Sequence, residues 1–157
     1  MSQVEIGKLV PNFKLAATGD QQVELKSLRG KNVVLYFYPK DNTPGCTTES
    51  CEFGAKHREF SKLNTVILGV SRDSLSSHEK FKAKFEFPFD LLVDDQEELC
   101  QMFDVIKEKN MYGKKVMGIE RSTFLIDDKG KLQREWRKVK VDGHVAEVLD
   151  AVRELAA

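Results

Sequence analysis

Cys46 and Cys51 stand five positions apart in the run Pro39-Lys40-Asp41-Asn42-Thr43-Pro44-Gly45-Cys46-Thr47-Thr48-Glu49-Ser50-Cys51. The thiolate, not the thiol, is the nucleophile of cysteine chemistry, so the neighbours that favour an anion matter most. Thr43 is a favoured helix N-cap, and Pro44 fits the first helical position, where a missing N–H costs nothing. Cys46 then falls in the first turn, among N–H groups without helical partners, at the positive end of the macrodipole. The spacing is not the C-x-x-C of a disulfide exchanger. At about 1.5 Å and 100° per residue, the two Cα atoms lie about 8–9 Å apart on a helix. A disulfide tolerates less than about 7 Å, so a bond between them requires the first turns to unwind. A zinc site needs about four ligands. Only His57 is near in sequence, with Cys100, His78 and His144 scattered, and no metal is expected.

The surrounding pattern must place this segment. Val33 to Tyr38 is an apolar, β-branched and aromatic run that reads as a strand buried on both faces, ended by Pro39. Cys46 and Cys51 follow it, and Thr47 to Leu63 reads as a helix. Phe13–Ala17 and Gln22–Leu25, split by Thr18-Gly19-Asp20, predict a hairpin. Thr65–Ser71 and Thr123–Ile126 read as strands, Pro88–Val93 as a short extended piece, and Leu132–Trp136 as a strand returning from the turn Asp127-Asp128-Lys129-Gly130. Ser74–Phe85, Gln96–Phe103 and about Val145–Leu155 read as helices. Residues 107–118 read as a polar, Gly-punctuated loop. Alternating strands and helices, closed by a hairpin and a helix, predict an α/β layer sandwich with a mixed sheet.

Pro-x-x-x-Thr-x-x-Cys, here Pro39, Thr43 and Cys46, resembles the active-site motif of the peroxiredoxins. The run TPGCTTESC is similar to the bacterioferritin-comigratory-protein (PrxQ-type) subfamily, as are Gly7–Phe13, VVLYFYPKDNTPGCT and GKKVMGIERSTFLIDDKGK, so the likeness spans essentially the whole chain. It implies a thioredoxin-like fold with an N-terminal β-hairpin extension. It also implies a thiol-dependent peroxidase that reduces hydrogen peroxide and organic hydroperoxides, needs no cofactor, and is recycled by thioredoxin or a similar dithiol. Cys46 would be the peroxidatic nucleophile, passing through a sulfenic acid. Thr43 would hydrogen-bond the thiolate and the peroxide, Pro39 and Pro44 would shield the sulfur, and Arg121 would hold a guanidinium near it. Glu49 would orient Arg121. Cys51 matches the resolving cysteine of members that carry it on the same helix; Ser74–Phe85, where other members place it, contains no cysteine.

The composition bounds the alternatives. The 157 residues fit one domain over residues 1–157. Lys+Arg and Asp+Glu number 25 each, so no basic excess points to nucleic acid or an anionic membrane. The longest apolar run falls far short of the about 20 residues of a membrane helix. Three cysteines suit a reducing compartment, and the N-terminus lacks a signal-peptide pattern, so a cytoplasmic location is expected. No C-terminal arm for exchange between subunits is evident, and a monomer is expected. Cys100, beside Leu99 and Met102, reads as a small buried hydrophobe. Asp94, Asp95, Glu97 and Glu98 read as acidity at a helix start, and His57 and His78 as solvated. The rival functions are a thiol–disulfide oxidoreductase and a non-enzymatic redox sensor on the same fold.

Overall fold

The computed structural model describes residues 3–156. In chain order the elements are β1 (Lys14–Ala17), β2 (Gln21–Glu24), a 3-10 turn (Leu25–Leu28), β3 (Asn32–Phe37), α1 (Pro44–Ala55), α2 (His57–Lys62), β4 (Thr65–Ser71), α3 (Leu75–Phe85), β5 (Asp90–Val93), α4 (Glu98–Met102), β6 (Ile106–Met111), β7 (Lys114–Ile119), β8 (Ser122–Ile126), β9 (Leu132–Trp136) and α5 (His144–Ala156). Seven strands form one sheet in the order β2-β1-β5-β4-β3-β8-β9. β3, β4 and β5 run parallel, and the β1–β2 and β8–β9 pairs are antiparallel, so the sheet is mixed as expected.

β3 leads into the segment that holds Cys46, and every one of its residues is buried. The two-residue period of a strand splits its side chains between two cores. Val33, Leu35 and Phe37 face a cluster with Phe103, Phe124, Leu99 and Cys100, on the side covered by α4 and the N-terminal segment. Val34, Tyr36 and the following Tyr38 face a cluster with Cys46, Phe53, Phe60, Phe81 and Val148, on the side covered by α1, α2, α3 and α5. Each such apolar side chain contributes about 1.5–3 kcal/mol on burial, so β3 is the most firmly held platform available for the loop that leaves it. Asp94 accepts the N–H groups of Leu99 (3.0 Å) and Cys100 (2.7 Å). The helix-start acidity therefore acts as a cap on α4.

Three expectations are corrected. The helix drawn from Thr47 to Leu63 begins earlier, at Pro44, and is two helices that break at Lys56, whose backbone (φ −100, ψ 3) leaves the helical range. Gly54, a poor helix former, precedes the break, and a Cβ there would lie 3.5 Å from Pro88 Cδ. Residues 107–118 are not a loop but the ribbon β6–β7, paired through Met111 and Lys114. Its two-residue turn uses positive φ at Tyr112 (54°) and Gly113 (79°), as a tight hairpin turn requires. Few of its side chains are buried, so no alternating pattern marks it in sequence. His78 is not solvated; it is fully buried.

Candidate active site

The loop from Pro39 to Thr43 joins β3 to α1 and is tied down at Asp41. Asp41 accepts from Tyr38 Oη (2.7 Å) and Ser77 Oγ (2.8 Å), and its carboxylate meets His78 Nδ1 at 2.7 Å. His78 Nε2 lies 2.8 Å from the Leu92 carbonyl, which only accepts, so Nε2 carries a proton. The Asp41 N–H donates to Asp73 Oδ2 at 2.9 Å. Asp41, Asp73 and His78 form a compact cluster, but hydrogen bonds within it explain their grouping. Thr43 is the N-cap of α1 and Pro44 its first residue, as the helix-start pattern predicts. The Thr43 hydroxyl makes no cap bond; it donates to the Lys40 carbonyl at 2.8 Å. Its proton is thus directed at the loop backbone, not at sulfur, which corrects the expected bond to the thiolate. The oxygen keeps lone pairs free to accept.

Cys46 lies in the first turn of α1 and is 1% exposed, while Cys51 on the same helix is exposed. Arg121, in the link between β7 and β8, brings Nη2 to 3.3 Å from Cys46 Sγ and Nη1 to 2.7 Å from Glu49 Oε1. The backbone fixes that link. Glu120 N–H donates to the Val105 carbonyl, and the Arg121 carbonyl accepts from Val139 N–H at 2.9 Å. Gly45 leaves room for the guanidinium, since a Cβ there would sit 3.2 Å from Arg121 Nη2. The structure brings Arg121 into contact with both Cys46 and Glu49; Pro39 and Thr43 are half-buried on the loop that leads into α1, and Pro44 is exposed. Cys100 belongs to the apolar cluster on the opposite face of the sheet from Cys46. Burial and the adjacent Asp94 push its thiol far above the ordinary range.

Residues 6–135 match the AhpC/TSA family. The chain is 53% identical over 153 residues to peroxiredoxin Bcp of Bacillus subtilis, covering 98% of each. It is 55% identical to peroxiredoxin Bcp of Xanthomonas campestris, over 90% of this chain and 89% of the relative. A solved structure of Xanthomonas campestris bacterioferritin comigratory protein superposes with a TM-score of 0.91 at 50% identity, covering 100% of both chains. A cysteine-to-serine mutant of Xylella fastidiosa PrxQ gives 0.94 at 45% identity, again over 100% of both. This chain is a peroxiredoxin of the bacterioferritin comigratory protein subfamily. Its fold is thioredoxin-like, its activity that of a thiol-dependent peroxidase, and its partners a peroxide and a thiol reductant.

The electrostatics of this peroxiredoxin centre on Glu49. Its side chain is fully enclosed, and burial pushes the carboxyl up to about 7 in spite of the opposing pull of Arg121. A residue that sequence pattern missed also enters the site. Lys109 on β6 turns its ammonium to the Ile119 carbonyl, over Gly118, whose missing side chain admits it. Burial, with Arg121 close by, pushes Lys109 below the ordinary lysine range. The lysine went unnoticed because the ribbon that carries it reads as a polar loop. No helix among the described residues is long and apolar enough to cross a membrane.

Proposed function

We propose that Cys46 is the peroxidatic nucleophile and that Arg121, Thr43 and the first turn of α1 stabilise its transition state. The observation that carries this is the Arg121 Nη2 contact at 3.3 Å to a sulfur that is otherwise buried at a helix start. The Cys46 thiolate attacks the terminal oxygen of the hydroperoxide. The S–O bond forms as the O–O bond breaks, and the departing alkoxide or hydroxide takes a proton. Arg121 and backbone N–H groups of the first turn of α1 face the charge that builds on the departing oxygen. Thr43, with its own proton on Lys40, offers lone pairs to the peroxide hydroxyl. Pro39 lines the approach.

Cys46 is left as a sulfenic acid, which condenses with a thiol, releasing water and forming a disulfide. Cys51 is the resolving thiol in this scheme, because Cys100 lies across the sheet. The structure has both cysteines free and on α1, so their union follows local unwinding. Thioredoxin or a similar dithiol then reduces the disulfide. The Xanthomonas campestris structure is a trapped intermediate/ligand complex informative on alkyl peroxide reduction, which supports organic hydroperoxides as substrates beside hydrogen peroxide. The single domain over residues 1–157 acts as a monomer in a reducing cytoplasm in this scheme. A coupled assay with thioredoxin and its reductase, run with hydrogen peroxide and cumene hydroperoxide, tests it. Turnover is expected with both and is lost in Cys46→Ser. Turnover surviving in Cys46→Ser refutes the assignment.

A further inference from the structure

Behind the guanidinium, Glu49 has two oxygens in different circumstances. Oε1 accepts Arg121 Nη1 at 2.7 Å. Oε2 has no hydrogen-bond partner, and it is the one such buried side-chain atom among the described residues. A buried polar atom left unpaired is costly, and native structures rarely leave one without a reason. Oε2 faces α5, where His144 Nε2 lies 4.0 Å away. His144 opens α5 and is itself buried, its ring set edge-on against Phe53 and Trp136. Nε2 already has one neighbour, Thr123 Oγ1 on β8, at 2.7 Å.

We propose that Glu49 and His144 hold one proton between them, as an O–H of Oε2 shared with the lone pair of Nε2, and that His144 is thereby a positioning residue for the Arg121–Cys46 contact. This rests on the proposed role of Cys46. The 4.0 Å gap exceeds the 2.7–3.2 Å of a hydrogen bond, so sharing the proton requires the two side chains to close by about 1 Å. The proton gives the stranded oxygen a donor role and removes a charge that no water can solvate. The other charged or titratable groups facing Glu49 are Arg121 from the β7–β8 link, Glu52 on its own helix and Tyr36 from β3. Those facing His144 are Glu147 on α5 and Arg121. Burial moves Glu49 up to about 7 and His144 down to about 4, which puts the shared proton on the carboxyl side near neutrality. With the proton held, Arg121 presents its undivided charge to Cys46 Sγ. Without it, the carboxylate on Nη1 offsets that charge.

The test reads the proton directly. The carboxyl carbon of Glu49 is followed by NMR against pH in reduced protein labelled at Glu carboxyls, with Glu49→Gln identifying the signal. His144→Phe keeps the packing and removes the acceptor, so the Glu49 midpoint is expected to fall by about 0.5 pH unit or more, about a threefold loss of proton affinity. Simple loss of polarity would raise it. Thr123→Val frees Nε2 from its competing hydroxyl, so the midpoint is expected to rise. A midpoint unmoved or raised by His144→Phe, or unmoved or lowered by Thr123→Val, overturns the shared proton. If His144→Phe does not fold, His144→Leu takes its place, with the same fall expected and the same contrary results overturning the proposal. Single-turnover oxidation of Cys46 by peroxide, measured against pH, is expected to follow each midpoint. A profile that ignores them overturns the link to Cys46. The NMR measurement uses no peroxide, so failure of the peroxidatic assignment would leave its result standing.

Discussion

Replacing Glu49 by Gln removes one buried titration while keeping a side-chain oxygen for Arg121. Its effect on stability has a sign that the structure dictates. Glu49 is raised from 4.5 to about 7 by burial, so the folded protein binds its proton more tightly than the unfolded chain does. Between those limits the native state carries the extra proton, and stability from this group falls as pH rises. It is fully present below about 4.5 and lost as pH passes through about 7. At about 1.4 kcal/mol per pH unit, the whole interval is on the order of 3 kcal/mol. His144 works the other way. Burial lowers it from 6.5 to about 4, so its contribution grows as pH rises through that window. The two trends oppose each other between about 4.5 and 6.5 in the wild type. The observable is therefore the difference between the proteins. Urea unfolding of reduced wild type and Glu49→Gln at half-unit steps from pH 5 to 8.5 should give stabilities that diverge in favour of Gln as pH rises, by about 2–3 kcal/mol across the range. The pull of Arg121 on the ionised carboxylate is already contained in the midpoint of about 7 and adds no separate pH dependence. Parallel curves would mean that Glu49 ionises as easily in the fold as outside it, and the account of its burial would fail.

Cys46→Ser should abolish peroxide consumption. Cys51→Ser should react once to a sulfenic acid and over-oxidise at Cys46 with further peroxide, as intact mass after one and after several equivalents will show, and Cys100→Ser should keep most turnover in the coupled assay. Arg121→Lys should slow the peroxide step by about 10²–10³-fold in stopped flow with the fold unchanged, because an ammonium cannot span Glu49 Oε1 and Cys46 Sγ together. His78→Ala removes one of three side-chain partners of the buried Asp41 and should cost about 1–3 kcal/mol in denaturant unfolding. Gly69→Ala should cost about 1–3 kcal/mol in the same experiment, since its Cβ would meet Leu91 Cδ2 at 2.7 Å and the Tyr36 ring at 2.8 Å.

What was legible in the sequence follows from how local each signal is. The double-sided strand β3, the Thr43–Pro44 helix start and the placement of Cys46 in the first turn depend on adjacent residues, and the structure has them as expected. The Arg121–Cys46 contact joins residues 75 positions apart, and only the family resemblance pointed to it. His78 misled because its neighbours on α3 are charged. The acceptors that hold it, Asp41 and the Leu92 carbonyl, come from a loop and a strand distant in sequence. The β6–β7 ribbon was hidden for the opposite reason. It has almost no core to face, so its strands lack apolar alternation, and Tyr112 occupies a positive-φ turn position where Asn, Asp or Gly would have announced a hairpin. The Glu49–His144 approach was invisible too, since a stranded oxygen exists only once helices pack.

The geometry also couples the chemistry to the motion that must follow it. α1 is held down on its buried face by Arg121 on Cys46 and Glu49, by Ser50 Oγ with Tyr36 Oη at 2.8 Å, and by Phe53 in the core. Hydrogen bonds to charged groups are worth about 1.5–3 kcal/mol, against about 0.5–1.5 for neutral ones. In the proposed cycle, when the Cys46 thiolate becomes a neutral sulfenic acid, the Arg121–sulfur contact changes from an ion pair to a hydrogen bond with one charged partner and weakens. The opening equilibrium of the first turns then rises, with no signal beyond oxidation itself. The stretch is bounded on both sides. Upstream, Asp41 is clamped to Tyr38, Ser77 and His78. Downstream, Phe53 stacks on Tyr36 with ring centroids 4.6 Å apart. Within those bounds Pro44, Gly45, Thr47, Thr48 and Ser50 are weak helix formers. The chain can therefore unwind between the clamp and the aromatic anchor, bringing Cys46 out to Cys51, while β3 and both cores stay packed.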